Sequence, residues 1–377
     1  MDRLYFDYNA SAPLASGLKQ ELAGWLEVDF KNPSSAHQDG QGAKALVEKS
    51  RKTILRLLGA SHGDKLFFTS GGSESNNTVL HSAFLNRGEK KKIVLTRIEH
   101  SCVYNYARFL GTLGVELVWI DVDRHGKINL EDFAAKLDND VFLVSVMLAN
   151  NETGFILPVG EMATIAKQKG IPVLCDVVCA AGKIPFSFAN LGADYMTFSS
   201  HKFGGLKGSG GIVTNSSAKL SPLIIGGPQE DEKRAGTQNV LGIAASAYAL
   251  EKWCANLTED VYREEGLRKL LKDKINAAYP SVIFIESENH LPQTLNASFV
   301  GLNGNLLLTN LDLEGVSCSY GSACASGSLE VSRVMKELGL KFDEARASLR
   351  FSFGKATTND DIEEFGRRLK KVIAKMT

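Results

Sequence analysis

Short apolar runs and longer amphipathic stretches alternate through the first half of the chain. KLFFTS (residues 65–70), KIVLT (92–96), VELVWID (115–121), VFLVSVM (141–147) and PVLCD (172–176) are each apolar nearly throughout, the pattern of strands covered on both faces. Between them lie helical patterns at residues 101–113, 130–137 and 159–169, and an earlier one carrying Ala45, Leu46, Ile54, Leu57 and Leu58 that stops at Gly59. Strand–helix alternation of this kind predicts an α/β fold, a mostly parallel sheet flanked by helices. Helical patterns from residue 240 to about 278 then lead to SVIFIE, LNASFV, a helix starting near Asn305, SLRFSF and a last amphipathic helix. In that helix Ile362, Phe365, Leu369, Val372 and Ile373 form one stripe, with Thr358 and Asp361 at capping positions. At 377 residues two cores are expected: a large domain over 14–250, and a smaller α+β domain built from 1–13 and 251–377.

The stretch from 173 to 211 concentrates the chemistry. One apolar run delivers Asp176 at its end, and a second, Tyr195 to Phe198, delivers Ser199, Ser200, His201 and Lys202. The carboxyl ends of strands line the ligand crevice of open α/β sheets, so the acid and the lysine are carried to one edge. Such a pair suits pyridoxal phosphate, which needs a lysine to hold it as a Schiff base and a carboxylate beside its pyridinium nitrogen. A buried ion pair without chemistry is the other reading. Upstream, GGSESNN follows a strand and opens a helix: Gly71 and Gly72 allow close backbone approach, and Ser73 stands where an N-cap or a phosphate ligand would. His100 and the Asn150–Asn151–Glu152 triplet follow two further strands, so they share that edge.

Composition narrows the class. Lys+Arg and Asp+Glu are 43 each, which gives nucleic acid no basic surface to find, and apolar residues at 44% are those of an ordinary globular protein. MDRLYFDYNA lacks the basic flank and apolar core of a signal peptide, and no run is long enough to cross a bilayer, so a cytoplasmic protein is expected. The six cysteines show no paired clusters, which argues against structural zinc and a disulfide framework; no metal site is expected.

Taken in order, YFDYNASAP, NPSSAH, TSGGSESNN, EHS, NNETG, CDVVCAAGK, SSHKFGGLKGSGG, GGPQEDEKRAGTQN, GSACASGSLE and RFSFG resemble the cysteine desulfurases, in the class V aminotransferase group of fold-type I pyridoxal-phosphate enzymes. The likeness implies the fold-type I transferase architecture and a residue-by-residue assignment. Lys202 is the Schiff-base lysine and Asp176 the pyridinium partner. Gly72, Ser73, Ser199 and His201 hold the phosphate, His100 stacks on the ring, and Asn151 bonds the phenolate oxygen. Thr237 reaches the phosphate of a neighbouring subunit, which implies a homodimer. Arg350 takes the substrate carboxylate, a role suited to its planar fork, with Asn32 and Asn151 beside it.

Cys324, in GSAC, is the implied sulfur carrier. Its Gly/Ser/Ala surroundings are those of a mobile loop, with too little apolar bulk to bury it. A thiol with an ordinary pKa of about 8.5 is mostly protonated at neutral pH, so it needs activation, and His100 is the candidate base. Cys318 reads as core. Some positions depart from the family pattern: Cys179 stands at a usual glutamine that bonds the cofactor phenolate, Leu157 at another glutamine, Leu206 and Val331 at prolines, and Pro228 at a glycine. The function implied is conversion of L-cysteine to L-alanine, with sulfur passed as a persulfide on Cys324 to an acceptor protein. The alternatives are a lyase or aminotransferase acting on selenocysteine or another amino acid, and a sulfur-network scaffold without turnover.

Overall fold

The computed structural model describes residues 2–27, 31–320 and 331–376. Thirteen strands occur among them. In chain order they are β1 (Leu4–Tyr5), β2 (Lys65–Thr69), β3 (Lys92–Thr96), β4 (Glu116–Ile120), β5 (Val141–Met147), β6 (Val173–Asp176), β7 (Tyr195–Ser199), β8 (Gly210–Thr214), β9 (Ile283–Ile285), β10 (Thr294–Ser298), β11 (Val316–Ser317), β12 (Ser319–Tyr320) and β13 (Ser348–Ser352).

The apolar runs assemble into a seven-stranded sheet of order β2-β8-β7-β6-β5-β3-β4. From β4 to β7 every pairing is parallel, while β8 runs antiparallel to both β7 and β2. All seven residues of β5 are buried, as a central strand covered on both faces requires. It feeds both faces: Val144 and Val146 enter a core shared with Val94, Cys175 and Met196, and Leu143 enters another with Ile93, Leu95 and Leu174. The pairings bring the ends of β2, β3, β5, β6 and β7 to one edge.

The remaining strands form a four-stranded antiparallel sheet, β12-β13-β10-β9, and a short parallel pair, β1 with β11. A third core belongs to this part, combining Phe6 with Leu295, Phe299, Phe351 and the Asn359–Met376 helix through Ile362, Phe365, Leu369, Val372 and Ile373. That helix begins as its sequence requires. The Thr358 N–H donates to Asp361 Oδ2 at 2.8 Å, and the Asp361 N–H returns a bond to Thr358 Oγ1 at 3.2 Å. Cys318 lies between β11 and β12 at the margin of this core, and burial pushes its thiol up. Asp7 pairs with Ser352, so the N-terminal arm runs from the small sheet across to the edge of the large one. No helix among the described residues is long and apolar enough to cross a membrane.

Candidate active site

β6 and β7 are parallel neighbours in which Asp176 stands opposite Thr197. The turn Ser200–Phe203 after β7 carries Lys202, so the acid and the lysine meet at a cavity of about 190 Å³ at the sheet edge. Asp176 is held by neutral donors. Asn76 Nδ2 donates to its Oδ2 at 2.7 Å, and the Val178 N–H donates to its Oδ1 at 2.8 Å. The Thr197 hydroxyl donates to Asn76 Oδ1 at 2.6 Å, which turns the amide so that its N–H₂ faces the carboxylate. Burial raises the Asp176 carboxyl above the usual carboxylate range, against the pull of the Val178 N–H and of His100. A cationic ring N–H is the partner that such a carboxylate lacks, and pyridoxal phosphate offers one.

Lys202 Nζ donates to the carbonyls of Asn9 and Ala10, at 2.5 and 3.2 Å. The N-terminal arm therefore completes the cavity floor. His100 occupies the N-cap of the Ser101–Thr112 helix, where its Nδ1 accepts from the Cys102 N–H at 3.2 Å and lies 3.1 Å from the Cys102 thiol. With Nδ1 accepting, the neutral ring carries its proton on Nε2, and burial lowers its basicity. In that tautomer Nε2–H is a hydrogen-bond donor and Nδ1 the basic atom, so His100 gives up a proton only after first taking one. Burial pushes the Cys102 thiol up to about 12, so this cysteine stays protonated beside the ring.

The phosphate corner is built from backbone as much as from side chains. The Gly72–Leu85 helix starts two residues earlier than a Ser73 cap would allow: the cap position falls on Gly71, which has no side chain to spend on the first-turn N–H groups. Gly72, Ser73, Ser199 and His201 line the cavity there. A Cβ on Gly72 would come within 2.8 Å of Val178 Cγ2, so only glycine leaves this cradle open. Burial, followed by the neighbouring Lys202, brings His201 down to about 4, which keeps it a neutral ligand. Uncapped N–H groups, a serine pair and a neutral histidine fit a phosphate dianion.

Across the cavity stands Arg350, 1% exposed in β13. Its Nη1 donates to the Asn151 carbonyl at 2.9 Å and its Nη2 to Asp7 Oδ1 at 2.6 Å, while its buried Nε has no partner among the described residues. A buried guanidinium on a cavity wall is a place for an anion. Asn151 and Cys179 also line this space. Asn32 and Thr237 do not; both are exposed, Asn32 ahead of the Gln38–Leu57 helix and Thr237 in the loop before the Val240–Cys254 helix. Cys324 lies outside the described residues. Asn9, Asn76, Cys102 and Lys183 escaped the sequence reading of the site. Asn9 and Asn76 lay within motifs already noted, YFDYNASAP and TSGGSESNN, but no pattern along the chain announces a hydrogen bond across more than a hundred residues.

Comparison with known proteins agrees over the whole length. The profile of the family described as Aminotransferase class-V matches residues 4–365. The chain is 37% identical to "Cysteine desulfurase IscS" of Dictyoglomus turgidum, covering 99% of this chain and 95% of that protein. It is 34% identical to "Cysteine desulfurase NifS" of Azotobacter vinelandii, over 100% and 94%. A solved "NifS-like protein" superposes with a TM-score of 0.93 at 33% identity, covering 99% of this chain and all of that one.

Proposed function

Because this chain belongs to the aminotransferase class-V family, a pyridoxal-phosphate-dependent family, we propose that it is a cysteine desulfurase, releasing L-alanine from L-cysteine and retaining the sulfur. The observation that carries the reading is one cavity lined by Lys202 and Asp176 and by the buried guanidinium residue Arg350. Lys202 tethers the cofactor through Nζ, Asp176 partners its ring nitrogen, and the uncapped helix start takes the phosphate with Ser73, Ser199 and His201. Bound there, pyridoxal phosphate supplies an electron sink that loosens the bonds around the substrate's α-carbon and its sulfur. Arg350 orients the substrate carboxylate. The thiolate of Cys324 attacks the substrate sulfur: a sulfur–sulfur bond forms, the carbon–sulfur bond breaks, and its electron pair stays with the carbon skeleton, which takes up a proton. His100 is the group placed to move that proton: it takes up the one that leaves the Cys324 thiol and, in the cationic form so made, returns it.

An acceptor protein then collects the sulfur, and Thr237 completes the phosphate site of a second subunit, so the working form is a homodimer. Cys318 and Cys102 are poor alternatives as carriers, since burial holds both thiols protonated. The test is a Cys324→Ser variant in the purified holoenzyme. It should keep its visible absorption band and still bind L-cysteine, yet lose alanine release and protein-bound persulfide together. Undiminished alanine release from that variant would remove the persulfide mechanism and leave another lyase chemistry on the same cofactor.

A further inference from the structure

A second lysine stands directly behind the first. Lys183, in the turns that follow β6, is 2% exposed. Its Nζ donates to Asn9 Oδ1 at 3.2 Å, and the carbonyl of that same Asn9 accepts from Lys202 Nζ. Asn9 is itself fully buried and fastened on its other sides: its N–H donates to Ser352 Oγ at 2.9 Å, and its Nδ2 donates to Thr294 Oγ1 at 2.9 Å and to the Asn151 carbonyl at 3.2 Å. Because Nδ2 faces two acceptors, Oδ1 must face a donor, and Lys183 is that donor. One asparagine thus receives both lysines.

We propose that Lys183 is a positioning residue for Lys202: its amine holds the Asn9 side chain, and through Asn9 it fixes the carbonyl that receives Lys202 Nζ, and so the place from which Lys202 meets a carbonyl group. The inference rests on reading Lys202 as the cofactor lysine. Facing Lys183 are Cys179, Glu264 and Arg350 as well as Lys202, and around Lys202 stand Asp176, His100 and His201. Burial, followed by the repulsion of Lys202 and Arg350 against the attraction of Cys179 and Glu264, brings Lys183 down to about 8. Lys183 is therefore charged at neutral pH and loses that charge in mild alkali, while its amine can still donate to Asn9.

The experiment adds pyridoxal phosphate to the full chain stripped of cofactor and follows growth of the visible band, with borohydride trapping and peptide mass spectrometry to identify the lysine that is labelled. In Lys183→Met, which cannot donate to Asn9, the band should grow about tenfold more slowly. Lys183→Gln keeps an N–H donor for Asn9 and should restore the rate to within about twofold of wild type. An unchanged rate in Lys183→Met, or an equal loss in both variants with both confirmed folded by thermal melting, would overturn the proposal. If other lysines label and Lys202 never does, the reading of Lys202 as the cofactor lysine fails, and this proposal with it.

Discussion

Along the edge of the large sheet the functional side chains stand on the last residues of strands or in the turns just past them, whereas the small sheet offers Arg350 from the middle of β13, paired with Asn296 on one side and Ser319 on the other. The two placements solve different problems. A residue at or past a strand end has no ladder beyond it, so a neighbour fixes its side chain: Asn76 aims Asp176, and Asn9 receives Lys202. A residue within a central strand is aimed by the backbone itself, and only the ends of its side chain need holding, here by Asp7 and the Asn151 carbonyl. Edge residues can therefore take part in covalent chemistry and proton transfer, while Arg350 serves as a fixed anchor.

The comparison breaks most clearly at Lys202. Lys202→Ala should lose the visible band of the lysine-bound cofactor and lower turnover by about 10³-fold or more, with a melting midpoint within about 4 °C of wild type. A variant that retained the band would show that the edge lysine is not the tether. Arg350→Lys sharpens the contrast. It keeps the charge but loses the planar fork, so KM for L-cysteine should rise by about 100-fold, equivalent to roughly 2.7 kcal/mol of binding, with a smaller change in kcat. Equal losses in cofactor retention would mean that Arg350 serves the cofactor and not the substrate.

The smallest effect lies behind the edge, at Glu99. This residue is fully buried just past β3, with Oε1 accepting from Thr96 Oγ1 at 2.5 Å and from the Met147 N–H at 3.0 Å, and with Oε2 unpartnered among the described residues. Burial pushes its carboxyl up to about 8, against those two hydrogen bonds. A folded pKa above the unfolded one favours folding with the proton bound, so the contribution is complete below about 4.5 and is lost as pH rises toward 8. Glu99→Gln should flatten that decline, leaving the variant at least about 1 kcal/mol better relative to wild type at pH 8.5 than at pH 4.5. Parallel denaturation midpoints for the two proteins across that range would show that Glu99 is ionised throughout.

Much of the architecture was legible along the chain because strands covered on both faces must be apolar nearly throughout. The 3.6-residue stripe of the last helix likewise marks its buried side, and Thr358 with Asp361 marks its start. The turn after β2 shows where such reading stops. GGSESNN announces a glycine turn before a helix, but whether the cap falls on Ser73 or on Gly71 depends on backbone angles that composition does not set. The loop 225–239 is similar. Glu230, Asp231 and Glu232 all take positive φ, which these residue types disfavour, and only the contacts of Glu230 with Arg51, Gln238 and the Phe68 N–H account for the conformation there.

By itself the sequence determined that an acid and a lysine end two buried strands, that a glycine turn opens a helix beside them, and that an arginine lies in a later strand, because hydrophobic period and strand ends are local properties. Only the tertiary structure decided which partners aim those groups: Asn76 at Asp176 from a hundred residues away, Asn9 between Lys183 and Lys202, and Asp7 on Arg350. Hydrogen bonds of this kind depend on the relative placement of elements that meet only after the sheets have formed, and a buried polar atom then accepts whichever donor packing has brought within reach.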